Sequence, residues 1–118
     1  AALCQSYEQS QSELLESPVF RILKEYYMDP GLSITYIADK LRMNHTYLSN
    51  VFKAQVGVGL LEYINRFRIK MACDMLQNTD DNIETIAKKV GYINASTFSR
   101  IFKKYTGITA TQYRSDKE

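Results

Sequence analysis

Residues 83–107, IETIAKKVGYINASTFSRIFKKYTG, decide the fold, because they read as two short helices around a tight turn. Asn82 stands where it can cap a helix reaching about Val90, since an Asn side chain accepts a hydrogen bond from a free N–H of the first turn. Gly91 suits the turn. Asn94 opens a second helix that ends near Gly107. Ala87 is small enough for the first helix to cross close to the second.

The same pattern stands 49 or 50 residues earlier. Ile34-Thr35-Tyr36-Ile37-Ala38 matches Ile83-Glu84-Thr85-Ile86-Ala87, and Leu48-Ser49-Asn50-Val51-Phe52-Lys53 matches Phe98-Ser99-Arg100-Ile101-Phe102-Lys103. Gly57 pairs with Gly107 and Tyr63 with Tyr113; one extra residue between the two helices of the second copy explains the change of offset. In the first copy Ser33 caps a helix to about Arg42, and Asn44 or His45 opens a helix that stops near Gly57. Arg42 stands where the second copy has Gly91, so that turn differs or Arg42 tolerates its geometry. Two copies are too few for a solenoid and make a two-lobed domain.

Between the copies lies an amphipathic run from about Gly59 to Gln77, with Leu60, Ile64, Phe67, Met71, Ala72 and Met75 as apolar members. As a helix it is about 28 Å long, the scale of a spacer between two readers. Ahead of the first copy, Ser17-Pro18 is a natural helix start. Val19, Phe20, Ile22, Leu23, Tyr26 and Tyr27 follow at helical spacing, as far as Pro30-Gly31. The expectation is an all-α fold, two helix-turn-helix subdomains joined by a long linking helix. Residues 1–17 form a linker or N-terminal extension and 18–118 the domain, divided into a first lobe (18–57), linking helix (58–78) and second lobe (79–118).

Composition agrees with a globular core: 45% of the 118 residues are hydrophobic, with no Trp but nine Tyr and five Phe. The net charge of +2 is unevenly placed. Glu8, Glu13 and Glu16 are three of the 13 acids, so the chain after Ser17 carries 15 basic side chains against 10 acidic ones. Arg100, Lys103, Lys104 and Arg114 follow one another with no acid between Asn94 and Arg114, either a patch for a polyanion or a solvated helix face.

Two cysteines, Cys4 and Cys73, make no disulfide framework, and with His45 as the single histidine there is no zinc spacing and no His-based triad. An enzyme is therefore not expected, and no cofactor or metal is expected. Cys73 reads as a small core residue. No stretch is long or apolar enough to span a membrane and no secretion signal is present, so no membrane partner and a cytoplasmic location are expected. The chain does not start with Met, which points to a piece of a larger protein.

The second helix of each copy carries the functional signal. In the first, Leu48, Val51, Phe52 and Gln55 mark a mainly apolar inner face, while Thr46, Ser49, Asn50 and Lys53 lie on the opposite side. In the second, Phe98, Ile101, Phe102 and Tyr105 face inward, and Ser96, Ser99, Arg100 and Lys103 outward. Asn and Arg pair with adenine and guanine edges in a major groove, Ser and Thr with bases or phosphates, and Lys with phosphates. One such stripe is the ordinary polar face of a helix; its repetition behind a short helix and turn shifts the balance towards double-stranded DNA.

The run from Ile86 through Ala87, Gly91 and Tyr92, then Phe98-Ser99-Arg100-Ile101-Phe102-Lys103-Lys104, Gly107-Ile108-Thr109 and Tyr113-Arg114, resembles the C-terminal signature of the AraC/XylS family of transcription regulators. Tyr47-Leu48-Ser49, Phe52-Lys53, Gly57 and Arg68-Ile69 resemble its first half, so the likeness covers about residues 18–114. Ala110, where many members have proline, and Ala95, at a position often polar, depart from it.

The resemblance implies about seven helices, with the two recognition helices entering successive major-groove segments on one face of the DNA. Base contacts then fall on Thr46, Ser49, Asn50, Ala95, Ser96, Ser99 and Arg100, with Ala95 offering only a methyl contact. Phosphate contacts fall on His45, Tyr47, Lys53, Arg68, Thr97, Lys103 and Lys104, although Arg68 could equally be a surface residue of the linking helix. RNA polymerase and an upstream sensor or dimerisation domain outside this chain are the further partners implied. The competing reading is a protein-interaction module built on the same two units.

Overall fold

The computed structural model describes residues 15–117, and within them all regular structure is helical. The helices are α1 (15–26), α2 (Ile34–Leu41), α3 (His45–Val56), α4 (Leu60–Asn78), α5 (Ile83–Lys89), α6 (Ala95–Thr106) and α7 (Ala110–Lys117). Of the expected linker, residues 1–14, with Cys4, lie outside the described part. Leu15 is already helical, so α1 does not start on Ser17, and Pro18 lies within it.

Side-chain caps set the four helix starts that matter. Ser33 Oγ accepts from the Tyr36 N–H at 3.1 Å and Asn44 Oδ1 from Tyr47 at 3.1 Å. Asn82 and Asn94 do the same for Thr85 and Thr97, both at 2.8 Å. Each cap satisfies a donor that the helix itself leaves unpaired, worth about 1 kcal/mol. α3 and α6 end alike, on Gly57 and Gly107 at φ 95° and 84°, whose N–H groups return to the carbonyls of Lys53 and Lys103. α7 needs no proline at its start. Thr109 and Gln112 form a reciprocal capping box, the Gln112 N–H donating to Thr109 Oγ1 and the Thr109 N–H to Gln112 Oε1, and Ala110 is buried.

The two corners before α3 and α6 are built from the same hydrogen bonds. Met43 N–H returns to Ala38 O at 2.9 Å, and Tyr92 N–H to Ala87 O at 3.0 Å. The residue between is left-handed in both, Arg42 at φ 56° and Gly91 at φ 101°. Arg42 thus tolerates the corner by adopting a conformation in which its Cβ is crowded.

The chain divides into two compact units, residues up to Tyr26 with Leu32–Tyr63, and Tyr27–Gly31 with Ile64 onward. The division falls inside α4. In the first unit, α2 packs on α3, and Val19, Leu23, Leu32, Ile37, Ala38, Leu48, Phe52 and Leu60 are buried. The Phe52 ring meets Tyr63 edge-on, centroids 5.1 Å apart. In the second, α5 and α7 pack on α6 around Ile69, Ala72, Leu76, Ile86, Ala87, Val90, Tyr92, Phe98, Phe102 and Ala110. Tyr92, Phe98, Phe102 and Tyr113 run through that core with successive ring centroids 5.8, 5.6 and 5.7 Å apart. Ala38 and Ala87, at 1% and 0% exposure, lie in the helices that pack on α3 and α6.

Candidate nucleic-acid interface

Each unit presents one helix whose buried and exposed faces are chemically distinct. On α3, Leu48 and Phe52 are fully buried and Val51 half-buried, while Gln55 is exposed, so the inner face is shorter than its expected extent. Thr46, Asn50 and Lys53 are exposed and Ser49 is half-buried. At the helix start His45 is exposed and Tyr47 keeps 55% of its surface in solvent.

On α6, Phe98 and Phe102 are fully buried, with Ile101 and Tyr105 half-buried against the core. Ser96, Ser99, Arg100, Lys103 and Lys104 are exposed. Ala95 and Thr97 are half-buried, and Ala95 packs partly on the core, so its methyl is only partly free for a ligand. The burial of two aromatic rings on one side of α6 fixes which side is left to Ser96, Ser99 and Arg100.

Arg68 does not belong to either stripe. It is 6% exposed, its Nε donates to Tyr27 O at 3.0 Å, and its Nη2 donates to Asp29 O at 2.8 Å. Its guanidinium also lies 5.4 Å from the centre of the Tyr92 ring. An arginine held this way, inside the second unit, is not available to a phosphate, and the expected contact is withdrawn. Arg114, part of the basic run, is committed in the same manner. Its three guanidinium nitrogens donate to the carbonyls of Leu76, Asp81 and Thr79, at 3.1, 2.6 and 3.0 Å, where α4 ends. A cation there also meets the negative end of the helix dipole. Of the expected basic run, Arg100, Lys103 and Lys104 on α6 are exposed, Lys104 lying 5.7 Å from the centre of the Tyr105 ring, while Lys88 and Lys89 at the end of α5 are held near Glu84 and Asp81.

Sequence reading passed over Ile93. It is 76% exposed, directly before the cap of α6. An apolar residue at that position usually folds back on the helix, so nothing in the sequence marked it as open.

Two capped helix-turn-helix units, each ending in an amphipathic helix with a polar outer stripe, define the class: a double helix-turn-helix domain. The family described as "Helix-turn-helix domain" matches residues 37–116. An HTH-type transcriptional regulator of Bacillus subtilis, YtdP, is 41% identical over 86 residues, which are 73% of this chain and 11% of that protein. The C-terminal domain of the two-component response regulator YesN from Fusobacterium nucleatum superposes with a TM-score of 0.81 at 31% identity, covering 84% of this chain and 96% of that one. The DNA-binding domain of AdpA, a global transcriptional factor solved with a target DNA, shares the fold, with a TM-score of 0.79 at 19% identity over 86% of this chain and 90% of its own. The chain belongs to the AraC-type helix-turn-helix family of transcriptional regulators. It spans only a small part of the curated relatives it matches, 11%, 27% and 15% of the first three. Among the described residues no helix is long and apolar enough to cross a membrane.

Proposed function

We propose that this domain binds double-stranded DNA sequence-specifically, with α3 and α6 as the two readers and α4 as the spacer between them, and that it does so within a longer transcription regulator. The observation that carries the reading is the twofold occurrence of one arrangement. Buried Leu48 and Phe52 back Thr46, Ser49, Asn50 and Lys53, and buried Phe98 and Phe102 back Ser96, Ser99, Arg100 and Lys103. Asn50 and Arg100 are the side chains suited to bidentate pairing with adenine and guanine, the hydroxyls adapt to base or phosphate, and the lysines suit phosphates. His45, Tyr47, Thr97 and Lys104 complete the backbone contacts, and Ala95 supplies a small apolar one.

Two different readers in one chain suit an asymmetric site bound by a monomer, whereas a single reader needs a dimer and a palindrome. A cytoplasmic regulator that activates transcription through RNA polymerase, joined to an upstream sensor or dimerisation domain, is the setting that fits these features. The domain acts by binding and not by catalysis. The test is selection from a random DNA pool, followed by titration of the selected duplex at several salt concentrations. An asymmetric consensus with affinity falling steeply as salt rises supports the proposal. Enrichment of no sequence, with no salt-dependent binding, overturns it in favour of a protein-docking module.

A further inference from the structure

Among the described residues, Ile93 is the most exposed of the large hydrophobic side chains, at 76%. It stands immediately before Asn94, the cap of α6. Helices often hold this position shut, the residue before the cap packing on the fourth residue of the helix. Here that fourth residue is Phe98, fully buried between the Tyr92 and Phe102 rings, while Ile93 leaves most of its surface in water. The first unit differs. Met43, the matching residue before Asn44, is half-buried and lines a pocket of about 300 Å³ with Leu41, Tyr47 and Val51. An open β-branched apolar group next to the reading helix is thus particular to the second unit.

Its place in the chain says what it would meet. Ile93 stands in the bend just outside α6, one residue before its extended cap Asn94 and two before Ala95, at the end of the helix where exposed Ser96 begins the outer stripe that continues to Ser99 and Arg100. An exposed apolar side chain thus stands just ahead of a reader whose outer face carries hydroxyls and a cation. On the base edges of a major groove the apolar group is the 5-methyl of thymine. We propose that Ile93, assisted by Ala95, reads a thymine methyl in the DNA segment taken by α6. This rests on the DNA-binding reading above and adds a base identity to it.

The experiment uses the duplex selected from the random pool. Each thymine in the half read by α6 is replaced singly by deoxyuridine, which deletes one methyl and changes no hydrogen-bonding group. Affinity is measured at one salt concentration by fluorescence anisotropy. We expect one thymine, or two neighbours, at which the replacement weakens binding about 3- to 5-fold, the worth of one buried methyl. Ile93→Ser is expected to bind the thymine duplex as weakly as the parent binds the deoxyuridine one, and to lose the difference between them. Circular dichroism checks that this exposed substitution leaves the helices intact.

A chain that selects DNA but ignores every deoxyuridine overturns this inference and leaves the function reading standing. So does an Ile93→Ser domain with unchanged affinity for the selected duplex. Equal weakening on selected and unrelated DNA also overturns it, since that marks a sugar–phosphate contact. A chain that selects no DNA overturns both readings.

Discussion

Arg68 Nε donates to the Tyr27 carbonyl at 3.0 Å, so a cation in the middle of α4 holds the segment that follows α1. The buried row of α4 runs Leu60, Ile64, Arg68, Ala72 and Leu76, every fourth residue, with none above 6% exposure. Four of the five are apolar. The fifth is buried because main-chain carbonyls replace the water that its guanidinium gives up.

Arg68→Ala should therefore lower stability and not DNA affinity as such. It leaves the carbonyls of Tyr27 and Asp29 without their donor, at about 1–3 kcal/mol each if they stay dry. Thermal unfolding followed by circular dichroism is expected to shift down by roughly 5 °C or more. At a temperature where the variant is folded, the salt dependence of DNA binding should match the parent. A reduced salt slope with unchanged melting would return Arg68 to the phosphate contacts.

The two corners predict opposite signs. Arg42→Gly replaces a crowded left-handed residue, at φ 56°, by the one that takes this conformation freely, and should stabilise the domain by about 0.5–1 kcal/mol. Gly91→Ala should be severe. Its φ is 101°, and the added Cβ would fall 2.2 Å from Tyr27 O and 2.8 Å from Arg68 Nε. Strain and overlap together are expected to cost about 3 kcal/mol or more. Urea unfolding of the two variants beside the parent checks both signs.

Burial pushes the Tyr92 hydroxyl up to about 12, with nearby Arg68 opposing and Tyr105 reinforcing the rise. Its hydroxyl donates to Asn65 Oδ1 at 2.9 Å. The raised value means that the folded state favours the neutral phenol. That stability is complete below the unfolded value, near 10, and is lost as pH rises from there through about 12. Stability measured by urea unfolding is expected to fall over this window. Tyr92→Phe, which has no phenol to ionise, should start about 1 kcal/mol less stable at neutral pH and show a shallower alkaline fall. Parallel alkaline curves for the two proteins would refute the assignment.

Arg100→Ala should relax base preference in the segment read by α6 at a cost of ~1–3 kcal/mol, whereas Lys53→Ala should weaken all sequences alike and lower the salt slope by about one. Competition between selected and scrambled duplexes separates the two effects. An unchanged consensus for Arg100→Ala would make it a phosphate contact.

The sequence by itself determined the local structure. Ser33, Asn44, Asn82 and Asn94 cap the helices expected of them, Gly57 and Gly107 end α3 and α6, and the repeat places the buried aromatics opposite the polar stripes. These are decided by residues three or four apart, whose chemistry is visible along the chain. Only the tertiary structure decided the fate of charges and apolar groups that are answered from a distance. Arg68 and Arg114 read as surface cations, yet their partners are carbonyls 41 and 38 residues away for Tyr27 and Leu76, and every residue has a carbonyl, so no pattern announces the pairing. No pattern along the chain singles out Ile93, and its exposure follows from the packed core, where Tyr92 and Phe102 already flank Phe98 and Ile93 is left outside.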